Sequence, residues 1–153
     1  MACKWIFKVG LASIEDEKLL VVRKHGTSDF ILPGGKPDGD EGDLQTLSRE
    51  LGEELGCGIE QPLFCGVFVD VATHSSNAVV VVRLYTAKLV GDPKPQAEIE
   101  EVAWVSLIQP YAQTLAPSIQ NKILPFLHRR QKSSKAAKIK DRLPPKPDLF
   151  GTT

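Results

Sequence analysis

The segment from Gly35 to Cys57 constrains this chain more than any other, because it sets several charged residues at fixed spacings around leucines. Its first glycine follows Pro33-Gly34, and Glu41 lies between that turn and a dense acidic run. Charged side chains at this density are unsuited to a hydrophobic core. They are typical of a cluster that binds divalent cations and a diphosphate. The run reads Arg49-Glu50-Leu51-Gly52-Glu53-Glu54-Leu55-Gly56-Cys57.

Periodicity predicts a helix over residues 42–55. Leu44, Leu47, Leu51 and Leu55 fall on one stripe at about 100° per residue. Gly56 follows directly, where the C-terminus of a helix favours a residue with positive φ. The leucine stripe is therefore expected to pack on the core.

Three glutamates share a different face of this helix. Glu50, Glu53 and Glu54 lie within about 100° of one another, where like charges repel even in water. Mg²⁺ or Mn²⁺ would offset that repulsion, since both ions bind clustered carboxylate oxygens. Arg49 can orient Glu53, and Glu41 can pair with Arg49 near the positive end of the helix dipole. The alternative is an acidic helix face that is only solvated.

Most of the remaining chain reads as short strands. Trp5–Ile14 and Lys18–Lys24 are predicted to form a hairpin, and Val79–Val82 is expected to be buried on both faces because it is continuously apolar. Leu107–Arg130 is predicted to be mostly helical, with its prolines at starts or kinks. Further strands are predicted at Phe30–Leu32, Phe64–Thr73, Ala78–Val90 (after a turn at Ser75–Asn77) and Glu101–Ser106.

Residues 131–153 form a basic, proline-containing segment, and the domain proper is expected to span residues 1–130. Few apolar side chains remain there to offset the entropy of ordering, so the segment is predicted to be a flexible, solvated tail. The alternatives are an arm that binds nucleic acid or another anionic partner, and the arm of a domain-swapped dimer.

Composition limits the class of protein. Apolar residues make up 42% and charged residues 25%, which indicates one soluble globular domain. Because 19 basic residues balance 19 acidic ones, no net charge recruits nucleic acid or a membrane. No apolar run is long enough to span a bilayer, and an N-terminus containing Lys4 and Lys8 does not resemble a signal peptide. Cys3, Cys57 and Cys65 show no metal-binding spacing, so free thiols in the cytoplasm are expected.

The segment from Gly35 to Gly56 resembles the signature of the Nudix hydrolases, specifically the MutT-like members. The resemblance implies an α/β (α+β) Nudix fold, in which a mixed β-sheet is sandwiched between helices. It also implies Mg²⁺ or Mn²⁺ as cofactor, held by Glu50, Glu53, Glu54 and the carbonyl of Gly35.

The same resemblance suggests roles for further residues. Arg49 and Glu41 would orient the carboxylates, and Gly56 would be structural. A glutamate before the last strand would complete the catalytic set of Arg49, Glu50, Glu53 and Glu54, with Glu98 the first choice and Glu101 the second. Arg23 lies where MutT-like members contact phosphate; the alternative is a surface cation. Lys36 and Phe30 complete the predicted substrate contacts, although Phe30, like Phe68, His74 and Trp104, is a candidate either to stack on a base or for the apolar core.

The implied reaction is hydrolysis of the phosphoanhydride in a nucleoside diphosphate linked to another group. The preferred expectation is a small-molecule nucleoside triphosphate, including an oxidised purine, cleaved to monophosphate and pyrophosphate. The alternatives are a nucleotide sugar, ADP-ribose or an RNA 5′ end as substrate, and a non-catalytic nucleotide sensor. A homodimer is expected by analogy with the family alone, and no membrane partner is expected.

Overall fold

The computed structural model describes residues 2–73, 77–142 and 144, and these residues form two β-sheets and two main helices. None of the helices in these ranges is long and apolar enough to cross a membrane. In chain order the elements are β1 (Lys4–Ala12), β2 (Ile14–Glu15), β3 (Lys18–Lys24), β4 (Gly34–Gly35), α1 (Asp43–Leu55), β5 (Gly58–Val71), β6 (Ala78–Val90), β7 (Ile99–Ser106), a π-helical turn (Ile119–Ile123) and α2 (Leu124–Arg142).

The larger sheet is mixed. Its strand order is β4-β1-β6-β5, with β1 parallel to β6 and the other pairs antiparallel. The smaller sheet has the order β2-β3-β7 and is antiparallel. Both sheets contribute to two hydrophobic clusters, one beneath each helix.

The helices cover opposite sides of the sheets. Leu47, Leu51 and Leu55 of α1 pack against a cluster that includes Val9 and Leu20. On the other side, the π-helical turn and the start of α2 pack on a cluster built from alternate residues of the same strands. This arrangement confirms the predicted α+β class, with a mixed sheet sandwiched between helices. The second cluster includes Leu19, Val21, Val82, Leu84, Val105, Ile119, Ile123, Leu124 and Leu127.

The predicted hairpin is only partly correct. The turn after Glu15 joins β3 to the two-residue β2, whereas β1 belongs to the other sheet and pairs with β6. Residues Phe30 and Ile31 form isolated bridges instead of the predicted strand, because Phe30 pairs with Leu115 and Ile31 with Val22. The predicted turn at Ser75–Asn77 lies mostly outside the described residues.

Two predictions of burial are wrong for the same reason, which is that the helices cover only part of each face. Leu44 begins the predicted leucine stripe but is 45% exposed, since it lies in the first turn of α1. In the run 79–82 only Val82 is buried, and Val79 and Val81 are half-buried on a face that α1 does not reach.

The C-terminal predictions need correction at both ends. The segment from Leu107 to Ala116 is not helical, because its backbone bonds to the Phe30 loop: the Phe30 amide donates to the Thr114 carbonyl and the Ala116 amide to the Phe30 carbonyl. From Gln131 the chain continues as α2 to Arg142, so this part of the predicted flexible, solvated tail is helical, while its residues from Lys132 on are exposed. The division at residue 130 between domain and tail stays a prediction.

Candidate active site

Helix α1 ends where the sequence predicted and holds the acidic residues in a fixed register. Gly56 closes the helix with φ 66° and donates its amide to the Gly52 carbonyl. The positive φ favours glycine there, whereas the Gln96 amide, 2.8 Å from where a Cβ would lie, is the end of a flexible side chain that can move.

Arg49 connects one side of α1 to the preceding loop. Its Nε and Nη2 donate to the two carboxylate oxygens of Glu41 at 2.8 and 2.9 Å, and Nη2 also donates to the Lys36 carbonyl at 3.1 Å. Its Nη1 lies 3.0 Å from Glu50 and 3.4 Å from the more exposed Glu53. The hydrogen bonds from Arg49 lower the pKa of Glu41 to about 2. Arg49 thus links the loop that carries Glu41 and Lys36 to the glutamates of α1, and its predicted role in orienting them stays a prediction.

Glu54 is in the opposite situation. Its side chain is 1% exposed, and Oε1 accepts a hydrogen bond from the Gly34 amide at 3.0 Å. Its Oε2 is buried and has no hydrogen-bond partner among the described residues. Burial raises the pKa of Glu54 to about 8, and the charges of Glu50 and Glu98 add to the increase. A buried carboxylate oxygen without a partner is a candidate cation ligand.

The Gly34-Gly35 pair lets α1 approach β1 closely. Gly34 has φ 132°, and a Cβ there would collide with the Val9 carbonyl. At Gly35 a Cβ would lie only 2.6 Å from Oε1 of Glu50. The carboxylate of Glu50 therefore lies directly against the Gly35 backbone, so that the two residues can contribute oxygens to one site.

A cavity of about 500 Å³ opens beside these groups. The acidic residues Glu50 and Glu98 line it, as do three basic residues, Lys8, Lys24 and Lys36. The rest of its described lining is mainly aliphatic and includes Ile6, Ile31, Leu32, Val71, Val80, Val82 and Ile119. The structure thus combines acidic groups, basic groups and an apolar wall in one space.

Lys8 is a site residue that the sequence analysis did not identify. Burial lowers its pKa, and the neighbouring charges of Lys24 and Lys36 lower it further. The signal in the sequence was a lysine on the same strand face as Ile6 and Gly10, within an otherwise apolar stretch. A charged residue in such a position needs a polar environment or a ligand.

Arg23 does not line this cavity. Its Nη1 donates to Glu100 at 2.9 Å and to the Thr27 carbonyl at 2.8 Å, and its Nη2 lies 3.1 Å from Glu101. Glu101 is therefore directed to Arg23, while Glu98 reaches the cavity. The predicted phosphate contact of Arg23 stays a prediction, and its neighbour Lys24 is the residue placed at the cavity wall.

The aromatic candidates for base stacking are also placed elsewhere. Phe30 is 6% exposed in the core, and Phe68 packs edge to face on Phe126 with ring centroids 5.2 Å apart. Trp104 packs on the cluster beneath α1, and His74 lies outside the described residues. Among the described residues, those that line the cavity include no aromatic side chain.

The carboxylates near Glu54 suit the divalent cation that the sequence implied only in part. Within the described ranges, no group of three acidic, histidine or cysteine side chains is placed to hold a metal by itself. Mg²⁺, however, is usually bound through one or two carboxylates, with water and substrate phosphates completing its coordination. The unpartnered oxygen of Glu54 and the Glu50 carboxylate against Gly35 fit such an ion.

Comparison with known proteins agrees with this geometry. The model of the NUDIX domain family matches residues 7–127. The structure of a Nudix hydrolase family member from Chromobacterium violaceum is 25% identical, with a TM-score of 0.64 over 91% of this chain and 89% of that chain. MutT NUDIX hydrolase from Burkholderia pseudomallei is also 25% identical, with a TM-score of 0.60 over 70% of this chain and 89% of that chain.

The E. coli ORF135 protein shares the fold at 24% identity, with a TM-score of 0.62 over 84% of this chain and 92% of that chain. No curated protein matches the chain in sequence. Since the family match spans most of the chain and includes α1 with its glutamates, the chain belongs to the NUDIX domain family and is a MutT-like pyrophosphohydrolase.

Proposed function

We propose that this enzyme uses Mg²⁺ or Mn²⁺ to hydrolyse a nucleoside triphosphate to the monophosphate and pyrophosphate. The observation that carries the proposal is the buried, unpartnered carboxylate oxygen of Glu54, which is close enough to Glu50 and Glu98 to feel their charges. Those two glutamates line the cavity together with three lysines. The proposed metal ligands are Glu50, Glu53, Glu54 and the Gly35 carbonyl. Glu53 is available because its contact with Arg49 is long, at 3.4 Å.

The lysines support a substrate with several phosphate groups. Lys8, Lys24 and Lys36 all line the same cavity, and ammonium groups bind phosphate oxygens through charge-assisted hydrogen bonds. The cavity volume of about 500 Å³ suits a mononucleotide. Its aliphatic wall would pack on the base or sugar, in place of the aromatic stacking that the sequence suggested.

The reaction consists of attack by water on phosphorus, with cleavage of the anhydride bond and departure of pyrophosphate with the bonding electrons. A bound divalent cation supplies neutralisation of phosphate charge and a lowered pKa for water. Glu98 is the proposed proton acceptor, because it lines the cavity and is exposed enough to pass the proton to solvent. The lysines hold the departing pyrophosphate, and Arg49 keeps Glu50 and Glu53 in position.

The cytoplasm is the proposed location of the enzyme. Cys3, Cys57 and Cys65 are free thiols, which fits a reducing compartment.

The test is release of phosphate and pyrophosphate from nucleoside triphosphates, nucleotide sugars, ADP-ribose and RNA with a 5′ triphosphate, each with Mg²⁺ and with chelator. Pyrophosphate from a nucleoside triphosphate, abolished by chelator, is the expected result. Cleavage of another compound alone would replace the proposed substrate, and binding without turnover throughout would contradict the proposed reaction.

A lysine variant tests the phosphate contact. Lys8→Met should raise KM by at least about 10-fold, because it removes one charge-assisted contact. Lys18→Met is the matched control, since Lys18 is an exposed lysine on β3 outside the cavity. Equal KM values for the two variants would exclude Lys8 from the substrate site.

A further inference from the structure

The C-terminal part of α2 concentrates positive charge that has no part in the proposed reaction. We call residues 129–142 the basic helix segment, because they include four lysines and three arginines but only one acidic residue, Asp141. Every residue from Lys132 to Arg142 is exposed. Since the family model matches residues 7–127, the segment lies outside the part of the chain that matches the family.

The protein itself neutralises little of this charge. Lys135 pairs with Glu17 in the turn before β3, and it is the one residue of the segment with a carboxylate partner in the described part of the chain. The acidic residues of α1 are not available, because α1 packs on the opposite side of the sheets. Lysines three residues apart on a helix, such as Lys132 and Lys135, repel one another. A polyanion bound along the segment would offset that repulsion.

A second cavity, of about 390 Å³, lies beside the start of the segment, and we call it the α2 groove. It shares no lining residue with the cavity beside Glu50. The basic residues that line it are Lys88 and Arg130, and Glu15 is the one acidic residue in its described lining. Arg130 also donates from Nη1 to the sulfur of Cys65 at 2.7 Å. Five neutral residues with hydrogen-bonding side chains line the same groove: Ser13, Gln61, Thr86, Gln131 and Ser134.

We propose that single-stranded RNA binds along the basic helix segment and places one nucleotide in the α2 groove. The segment offers cations to successive phosphates, since a helix of this length extends over about 20 Å. The groove volume of about 390 Å³ is that of a site for a small ligand such as one nucleotide. Its serine, threonine and glutamine residues suit the ribose 2′-hydroxyl, which both donates and accepts hydrogen bonds and distinguishes RNA from DNA.

The composition of the segment favours nucleic acid over other anionic partners. A helix that lies on a membrane has an apolar face, but Ile139 is the only large apolar residue of α2 after Leu127. The centre of a protein–protein interface is apolar and poor in lysine. Nucleic acid, by contrast, is bound mainly through its phosphates, by exposed lysine and arginine side chains.

Fluorescence anisotropy with the full chain tests the proposal. The probe is a labelled single-stranded RNA of about 20 nucleotides with a 5′-hydroxyl group, which offers the active site no phosphoanhydride to cleave. Affinity should fall as salt rises from about 50 to 200 mM, with a slope of about −3 in log affinity against log salt for about four phosphate contacts. DNA of the same sequence should bind at least about 5-fold more weakly, because it lacks the 2′-hydroxyl.

Two variants test the helix and the groove separately. Lys132→Gln combined with Lys138→Gln and Lys140→Gln should weaken RNA binding by at least about 10-fold and reduce the salt slope by about 2, because phosphate contacts are lost while glutamine maintains the helix. Lys88→Gln, on β6, should weaken binding by about 3-fold. Lys4→Gln is the matched control and should bind as the wild type does, because Lys4 is exposed at the opposite end of β1 from the groove.

None of these variants should change pyrophosphate release from nucleoside triphosphates, so loss of RNA binding is distinguished from failure of the proposed reaction. No RNA binding at about 50 mM salt, or equal affinity for the DNA, would overturn the proposal. The same holds if Lys4→Gln weakens binding as much as Lys88→Gln does. Tighter binding to vesicles that contain phosphatidylserine, or to polyglutamate, would instead assign the segment to a membrane or to an acidic protein.

Discussion

Glu41, in the loop before α1, and Glu54, in the last turn of α1, are carboxylates whose pKa values are displaced in opposite directions. Arg49 donates two hydrogen bonds to Glu41 and lowers its pKa to about 2. Glu54 is buried with one backbone donor, and its pKa rises to about 8. Glu41 is thus neutralised by an arginine of the same protein, whereas one oxygen of Glu54 has no hydrogen-bond partner among the described residues.

This difference distinguishes a carboxylate that stabilises the fold from one that is free to bind a ligand. A carboxylate that is fully paired stabilises the fold and has little capacity left for a ligand. A buried carboxylate with an unpartnered oxygen lowers stability when it ionises, and such a group is retained where a cation or a proton is handled. We therefore propose that Glu41 belongs to the scaffold and that Glu54 takes part in the reaction.

Exchanging each carboxylate for its amide should give the largest contrast. Glu54→Gln should lower kcat by at least about 1,000-fold with the fold retained, because it removes a negative ligand but keeps the shape. Glu41→Gln should instead lower the melting temperature, since it breaks the pair with Arg49. Pyrophosphate release and thermal melting measure the two effects.

Glu60→Gln is the control for this exchange, because Glu60 is an exposed carboxylate on β5 outside the cavity. It should change neither quantity. Full turnover in Glu54→Gln would remove Glu54 from the reaction and with it the contrast to Glu41.

Stability against pH is the next largest effect. The pKa of Glu54 is about 8 in the folded chain and about 4.5 when unfolded, so the folded state binds more protons between these values. Without divalent cations, the free energy of unfolding should therefore fall as pH rises from 4.5 to 8, by on the order of 3 kcal/mol relative to Glu54→Gln. Urea unfolding of both proteins across this range measures the difference.

The same unfolding experiment can be repeated with Mg²⁺. If the cation binds at Glu54, adding it at pH 8 should restore stability to the wild type and do so less for Glu54→Gln. Parallel pH profiles of the two proteins would show that Glu54 is not the group that titrates.

The sequence predicted the local features of α1 better than the long-range contacts that surround Glu54. The helix, three of its four leucines, its end at Gly56 and the pairing of Arg49 with Glu41 depend on residues that are close in sequence, so spacing predicted them. The order of strands depends on contacts between distant segments. The partner of β1 is β6, about 70 residues away, and a period of two residues does not specify which strand lies alongside.

The cavity was hard to predict for this reason. Lys8 becomes a site residue only because β1 lies between β4 and β6, which brings it toward Glu50 and Glu54. Arg23, one residue from Lys24, points instead to Glu100 and Glu101 on the paired strand β7. Val79 and Val81 were predicted to be buried because they lie in a continuous apolar run. The prediction failed because such a run does not show how far the covering helix extends.

A smaller effect should follow from removing the forked geometry of Arg49 while keeping its charge. Lysine cannot donate to both oxygens of Glu41 and to Glu50 together, so Arg49→Lys should lower the melting temperature by about 5 °C. The kcat should fall less than in Glu54→Gln, since Arg49 acts through the carboxylates that it orients. Arg129→Lys, at an exposed position on α2, is the control for an arginine-to-lysine exchange.

The smallest effect is expected at Gly52, within α1. Nothing in the structure explains a glycine at this position. A Cβ there would meet no atom within 4 Å, so Gly52→Ala should raise the free energy of unfolding by about 1 kcal/mol through helix propensity alone. Gly56→Ala is the matched control and should lower it, because φ is 66° there and Gln96 is close. Urea unfolding gives both values. If Gly52→Ala is more stable but its KM rises, the glycine leaves room for substrate at the exposed surface of α1, and the substrate contacts more of the helix than Glu50 and Glu54. A loss of stability would contradict the open space around Gly52.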